Sequence, residues 1–219
     1  MALFPFIIFT YATIALAMDM VAKLMGGTAR TRLLRLCMFN PSEVYDKETI
    51  AKRIRTTPAV VAREAAALVR AEIIKKKEFT TTIEKNGRAQ KRKLQGFQID
   101  TANPLYESLR QFLLETITMS PDQLMRLIRS TGRMRLIVAS GFFMHNWEQR
   151  LDLLVVGDKI DEDALAQAIR TYEIEAGREL SYACLSTEDF YYRSSIQDRL
   201  IRDVFDYPHL VLLDKIDIS

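Results

Sequence analysis

The chain has 219 residues, 48% hydrophobic and 27% charged, which supplies one or two apolar cores and excludes a disordered, collagenous or coiled-coil chain. Two cysteines, Cys37 and Cys184, exclude a disulfide-stapled scaffold and a cysteine-only zinc site, and two histidines, His145 and His209, leave little for a histidine-based metal site. The net charge of +3 conceals a split: residues 1–99 carry 18 Lys and Arg against 8 Asp and Glu, whereas residues 100–219 carry 13 against 20. Two modules are expected, the basic one being the candidate for a polyanionic partner.

Residues 2–17 contain no charge. No Lys or Arg precedes them, so the basic region of a signal peptide is missing, and the run falls short of the roughly 20 apolar residues that span a bilayer. The expectation is that translation starts at Met18 or Met20 and that residues 1–19 are an upstream extension. A membrane anchor and a helix packed on the body stay open as alternatives. The protein is expected in the cytoplasm, without a membrane partner.

From residue 20 the pattern becomes readable. Thr28 is placed as an N-cap, followed by Leu33, Leu34, Leu36 and Cys37 at helical spacing and a stop near Asn40-Pro41. A short strand is expected over residues 42–45. Asp46 caps a helix over residues 47–55 with Ile50, Ala51 and Ile54 inward. Thr57 caps the next, with Pro58 at its first position and the end near Ala71. A strand begins at Ile73-Ile74. Residues 84–87 read as a hairpin turn on the Asn86-Gly87 signal, and residues 93–99 return as the second strand.

This order, with TARTRLLRLCMFNP, DKETIAKRIRTTPAVVAREAAALVRAEIIKKK and the basic hairpin, resembles the winged helix-turn-helix transcription regulators of the ArsR and MarR type over residues 20–99. The resemblance implies a third helix that enters the major groove and a hairpin that touches phosphate. Thr57 and Arg63 match the polar reading positions. Two departures are visible: the family's glycine after the third helix is Glu72 here, and the reading face is alanine-rich. The hairpin carries Lys75, Lys76, Lys77, Lys85, Arg88, Lys91, Arg92 and Lys93, a cluster that would give salt-sensitive binding to double-stranded DNA through counterion release.

Residues 100–132 are expected as connecting helices. One starts at Asn103-Pro104-Leu105 with Leu105, Leu109, Phe112 and Leu113 inward; Ser120-Pro121 caps another that runs to about Arg129. Beyond them, strands at 133–140, 150–156, 180–185 and 209–213 alternate with a helix at 161–176 and a long one capped by Thr187 and running to Phe205. That alternation marks a small mixed α/β domain over residues 133–219, and the whole chain as α+β.

Leu153-Leu154-Val155-Val156-Gly157, Gly177-Arg178 with Tyr182, Thr187-Glu188-Asp189-Phe190 and Pro208-His209-Leu210-Val211-Leu212-Leu213 resemble the minimal nucleotidyltransferase domain. In that family an Asp-x-Asp pair and a third carboxylate hold two metal ions. Here the pair falls on Arg150-Leu151-Asp152, a cation standing where the first ligand belongs, and the strand at 180–185 has no carboxylate. The family's Gly-Ser pair falls on Ser140-Gly141, in inverted order. Ser140, Gly141, Arg150 and Asp152 therefore read as a vestigial site: no catalytic residue, metal or cofactor is expected. For Asp152 three readings stand, a leftover metal ligand, a partner of Arg150 or Arg135 on the sheet, or a contact to a ligand, and the structural one is preferred. Arg150 holding a nucleotide phosphate without metal stays open. His145 is read as a surface or packing residue of the intervening loop, and Trp147 as packing that loop onto the body.

The sequence thus points to a DNA-binding transcriptional regulator with a catalytically inactive nucleotidyltransferase-like domain for sensing or dimerisation, acting as a homodimer. The alternatives are a nucleotidyltransferase with divergent metal ligands modifying protein or RNA, and an antitoxin-like module that binds a small protein partner.

Overall fold

The structure, a computed structural model, describes residues 21–85, 88–117 and 120–217. The expectations for residues 1–19 and for the turn at Asn86-Gly87 lie outside the described residues. The chain is α+β and divides into two compact units, one from the described residues of Met1–Thr118 with Ile174–Arg178, the other from those of Met119–Glu173 and Glu179–Ser219.

In the first unit α1 (Thr28–Met38), α2 (Lys47–Arg53) and α3 (Pro58–Arg70) precede a hairpin of β1 (Ile74–Lys85) and β2 (Arg88–Ile99), followed by α4 (Tyr106–Glu115). Local chemistry explains two of these starts. Asp46 accepts the backbone N–H of Thr49 at 2.7 Å, and Thr57 Oγ1 accepts that of Val60 at 3.4 Å with Pro58 already at the first helical position. The cap of α1 is one residue earlier than the sequence suggests: Gly27 stands at the N-cap with φ +123°, and Thr28 is the first helical residue. Leu33, Leu34, Leu36 and Cys37 of α1, Ile50 of α2, and Val61, Ala65 and Leu68 of α3 form the buried core of the three helices. Arg35 is buried among them and donates Nη2 to the carbonyl of Thr116 at 2.6 Å.

The expected strand over residues 42–45 reduces to one antiparallel bridge between Tyr45 and Phe97. The second hairpin strand begins at Arg88 rather than Lys93, because β1 and β2 stay in unbroken register from Ile74↔Ile99 to Lys85↔Arg88. The turn between α3 and β1 passes through Glu72 at φ +56°, the left-handed conformation for which glycine is the unstrained residue. Leu105, expected inward, is 60% exposed; it precedes α4, and Leu113 and Leu114 carry that helix's buried face.

The second unit holds α5 (Pro121–Arg129), β3 (Arg133–Ala139), a 3-10 turn (Gly141–Met144), β4 (Leu153–Asp158), α6 (Glu162–Ala176) as far as Glu173, β5 (Tyr182–Leu185), α7 (Thr187–Ser195), α8 (Arg199–Phe205) and β6 (Leu210–Asp214). Ser120 caps α5 in a capping box with Gln123, each side chain bonding the other's backbone N–H. The sheet order is β5-β4-β3-β6, with β4 and β5 parallel and the other two pairings antiparallel. β3 and β4 lie inside the sheet, and residues 136–139 and 153–157 are buried without alternation, as strands covered on both faces require. Leu136, Val138, Leu154 and Val156 pack with Phe190, Ile201 and Val204 on one side.

Two sequence expectations change here. Ser186, not Thr187, caps α7, its hydroxyl accepting the N–H of Asp189 at 3.0 Å. The single long helix to Phe205 is two helices, interrupted at Gln197 (φ +52°), after which Asp198 caps α8 through the N–H of Leu200 at 2.9 Å. Asp and Ser side chains bond their own backbone easily and so restart a helix where a longer one would otherwise run on. Among the described residues, no helix is long and apolar enough to cross a membrane.

Candidate functional site

The first cluster of interest lies on the hairpin. Successive residues of a strand point to opposite faces, so Lys91 and Lys93 share one face of the ribbon and Arg92 takes the other; all three are exposed. Lys91, Arg92 and Lys93 therefore do not form one stripe. Lys75 is bonded to Asp100 at 3.0 Å, and Lys77 donates to Gln98 Oε1 at 3.0 Å. The Gln98 amide in turn donates to the carbonyls of Pro41 and Ser42 at 2.9 and 3.2 Å, which ties β2 to the segment before α2. Asp100 is held below the usual carboxylate range, first by the hydrogen bond from Lys75 and then by the N–H of Ala102. The backbones of Lys85 and Arg88 pair in register at the end of the described hairpin.

Lys76 and Arg92 line a groove of about 610 Å³ between β2 and the start of α2. Its other wall brings Lys47 and Lys52, two cations that the sequence alone did not single out. Their signal was present but weak: they occupy polar positions of α2 around the buried Ile50 and Ala51. Asp46 and Glu48 also line this groove; Asp46 is engaged in capping, and Glu48 sits 3.7 Å from Lys47.

The positions matched to a reading face are more constrained. Thr57 is engaged as the cap of α3. Arg63 is 74% exposed in its side chain, but its guanidinium lies 2.8 Å from Glu64. Glu64 is 5% exposed and accepts a second guanidinium, that of Arg30 on α1, also at 2.8 Å. Burial alone would raise the Glu64 carboxyl; the hydrogen bonds from Arg63 and Arg30 outweigh it and hold the group below its ordinary range. Glu64 is thus an anion clamped between two cations, and it fixes Arg63 along the surface of α3.

In the second unit the structure brings Ser140, Gly141 and Asp152 into one buried knot. Ser140 is fully buried; its hydroxyl donates to the carbonyl of Leu151 at 2.7 Å and its N–H to that of Asp152 at 2.9 Å. Asp152 is 2% exposed. Its Oδ1 accepts the N–H of Phe142 at 2.7 Å and its Oδ2 that of Ser181 at 2.9 Å. Gly141 runs at φ +49°, and a Cβ there would lie 2.4 Å from Asp152 Oδ1. The Gly141 N–H donates to Gln149 Oε1 at 2.6 Å.

The expected partners of Asp152 are engaged elsewhere. Arg150, 66% exposed, sits 3.8 Å from Asp203, and Arg135 sits 3.4 Å from Asp158. Backbone amides hold the carboxylate instead, because the 3-10 turn and the start of β5 both aim N–H groups at it. Phe142 also receives the ring of Trp147 edge-on, 5.4 Å between centroids, so Trp147 packs the loop. Among the described residues, no group of three or more His, Cys, Asp or Glu side chains is placed to hold a metal ion.

No family model matches the chain, and no curated protein or solved structure matches it either.

Proposed function

We propose that the first unit is a winged helix-turn-helix that binds double-stranded DNA, and that the protein is a cytoplasmic transcriptional regulator acting as a homodimer. The observation that carries this reading is the juxtaposition of three short helices with a hairpin whose Lys76, Lys91, Arg92 and Lys93 are exposed. In such an arrangement the hairpin supplies phosphate contacts and the third helix approaches the base edges. Sequence readout is modest. Thr57 is engaged in its cap, Arg63 is bonded to Glu64, and the other exposed residues of α3 are Pro58, Ala59, Ala62, Ala66 and, at its last position, Arg70. Affinity then comes mainly from counterion release, with Lys47 and Lys52 extending the basic surface.

The second unit is read as a nucleotidyltransferase-like domain without catalysis, used for sensing or for pairing two copies. The knot around Asp152 supports this. Both of its oxygens accept backbone N–H groups, and the N–H groups of Gly141 and Phe142, which would have to meet a triphosphate, already have partners inside the protein. A buried carboxylate satisfied in this way stabilises a loop rather than recruiting a metal ion.

The test is binding of the full chain to random-sequence duplex across a salt series, beside the triple variant Lys91→Ala, Arg92→Ala, Lys93→Ala. Steep salt dependence is expected for the parent. The variant's slope should be shallower by about 2 to 3, near 0.9 for each phosphate that is no longer neutralised. A parent that binds no duplex at low salt overturns the reading.

A further inference from the structure

The second unit belongs to the acidic half of the chain, where residues 100–219 carry 20 Asp and Glu against 13 Lys and Arg. Four of those cations nevertheless meet in one place. Arg129 at the end of α5, Arg133 and Arg135 on β3, and Lys215 just after β6 line a groove of about 490 Å³, completed by Gly132 and Met134. Among the described residues, no carboxylate lines it. Arg135 lies 3.4 Å from Asp158; Arg129, Arg133 and Lys215 are exposed. Asp214, next to Lys215 in sequence, accepts the N–H groups of Ile216 and Asp217 at 2.9 and 3.0 Å through Oδ1.

The backbone builds this groove rather than leaving four long side chains to chance. Lys215 is anchored to β3 by its N–H, which donates to the carbonyl of Arg135 at 2.8 Å. The β3–β4 register shifts between Met134 and Leu136, so Arg135 sits at an irregularity that re-aims the strand edge. Gly132 lines the groove, and its backbone packs so closely on the next segment that a Cβ there would approach the Cα of Ile160 to 2.9 Å. Like charges gathered in one groove repel one another. An anion shared among them relieves that repulsion.

We propose that this groove is a second phosphodiester site, separate from the hairpin, that holds the backbone of a nucleic acid. Three of its cations are arginines, whose planar forks match phosphate oxygens two at a time. They come from two chain segments along an open groove, which suits a phosphate chain running through rather than one enclosed phosphate. The proposal extends the DNA-binding reading but stands on different residues.

The test uses the full chain and two variants, the groove variant Arg133→Ser with Lys215→Ser and the hairpin variant above, each titrated with a fluorescent 20-base-pair duplex between low and moderate salt. Both groove positions are exposed, and circular dichroism with a thermal melt confirms that the variant folds. The groove variant should lower the slope of log affinity against log salt by about 1 to 2, one phosphate per cation replaced. A groove variant with the parent's slope, while the parent binds, overturns the second site and leaves the hairpin reading intact. A hairpin variant with the parent's slope, beside a groove variant with a shallower one, does the reverse. No binding by the parent removes both. As a further arm, a mononucleotide at millimolar concentration that displaces the duplex from the hairpin variant points to a pocket for a single phosphate group and also overturns the proposal.

Discussion

Phe142 donates its backbone N–H to Asp152 Oδ1 at 2.7 Å, and the preceding Gly141 at φ +49° is what lets the loop come that close. The second carboxylate oxygen takes the N–H of Ser181, so one side chain fastens the 3-10 turn to the segment that opens β5. Hydrogen bonds to a charged acceptor contribute roughly 1.5–3 kcal/mol each. Asp152→Asn exchanges one accepting oxygen for an NH2 group that faces an N–H, and should cost about 2–3 kcal/mol of unfolding free energy. Gly141→Ala should cost at least as much, since it adds both backbone strain and a clash. Urea titration of each variant measures this; parental stability in Asp152→Asn would show that the carboxylate has no structural role.

Glu72 occupies a left-handed turn at φ +56°, held by backbone bonds: its N–H donates to the carbonyl of Val69, and its own carbonyl accepts from Asn103 Nδ2 at 2.8 Å. The left-handed conformation costs a side-chain-bearing residue about 1–2 kcal/mol, and glycine gives back part of that through its looser unfolded chain. Glu72→Gly is therefore expected to stabilise the protein by about 0.5–1 kcal/mol, seen as a higher urea midpoint with an unchanged slope.

Acid should weaken the first unit through Glu64. Its carboxyl titrates below its ordinary value of 4.5 in the folded protein, so the folded state favours the ionised form. The stabilisation is complete above that ordinary value and is lost as pH falls through the lower folded one. Other carboxylates titrate in the same window, so the informative quantity is a difference. Between pH 7 and pH 3 the melting temperature of Glu64→Gln should fall less steeply than the parent's; parallel curves would remove Glu64 from the acid response.

Burial pushes the Cys37 thiol up to about 12, whereas Cys184, half-buried, is raised first by partial burial and then by Glu162. Thiolate is the reactive form, so at pH 8 iodoacetamide should modify Cys184 slowly and leave Cys37 intact until denaturant is added. Peptide mass spectrometry reads both sites; early labelling of Cys37 would contradict a closed core around α1.

Local chemistry was legible from the residues alone. Asp46, Thr57-Pro58 and Ser120-Pro121 announce helix starts because a cap is a contact between residues two or three apart. The unbroken apolar run Leu153–Val156 announces a strand, and the coarse class, α+β, follows from the order of such signals. Where two capping residues stand side by side, as at Ser186-Thr187, one-residue placement was not legible, and neither was the break at Gln197, since nearby residues satisfy either choice equally well.

The partners of charged groups were decided by tertiary structure. Asp152 receives N–H groups from residues 10 and 29 positions away, Glu64 meets Arg30 from another helix 34 positions away, and the α5 and β3 arginines meet Lys215 only once the sheet has formed. A charge in sequence states only that a group must be solvated or paired. Which of the two happens, and with whom, depends on how distant backbone segments converge, and the periodicity of one strand or helix carries no record of that.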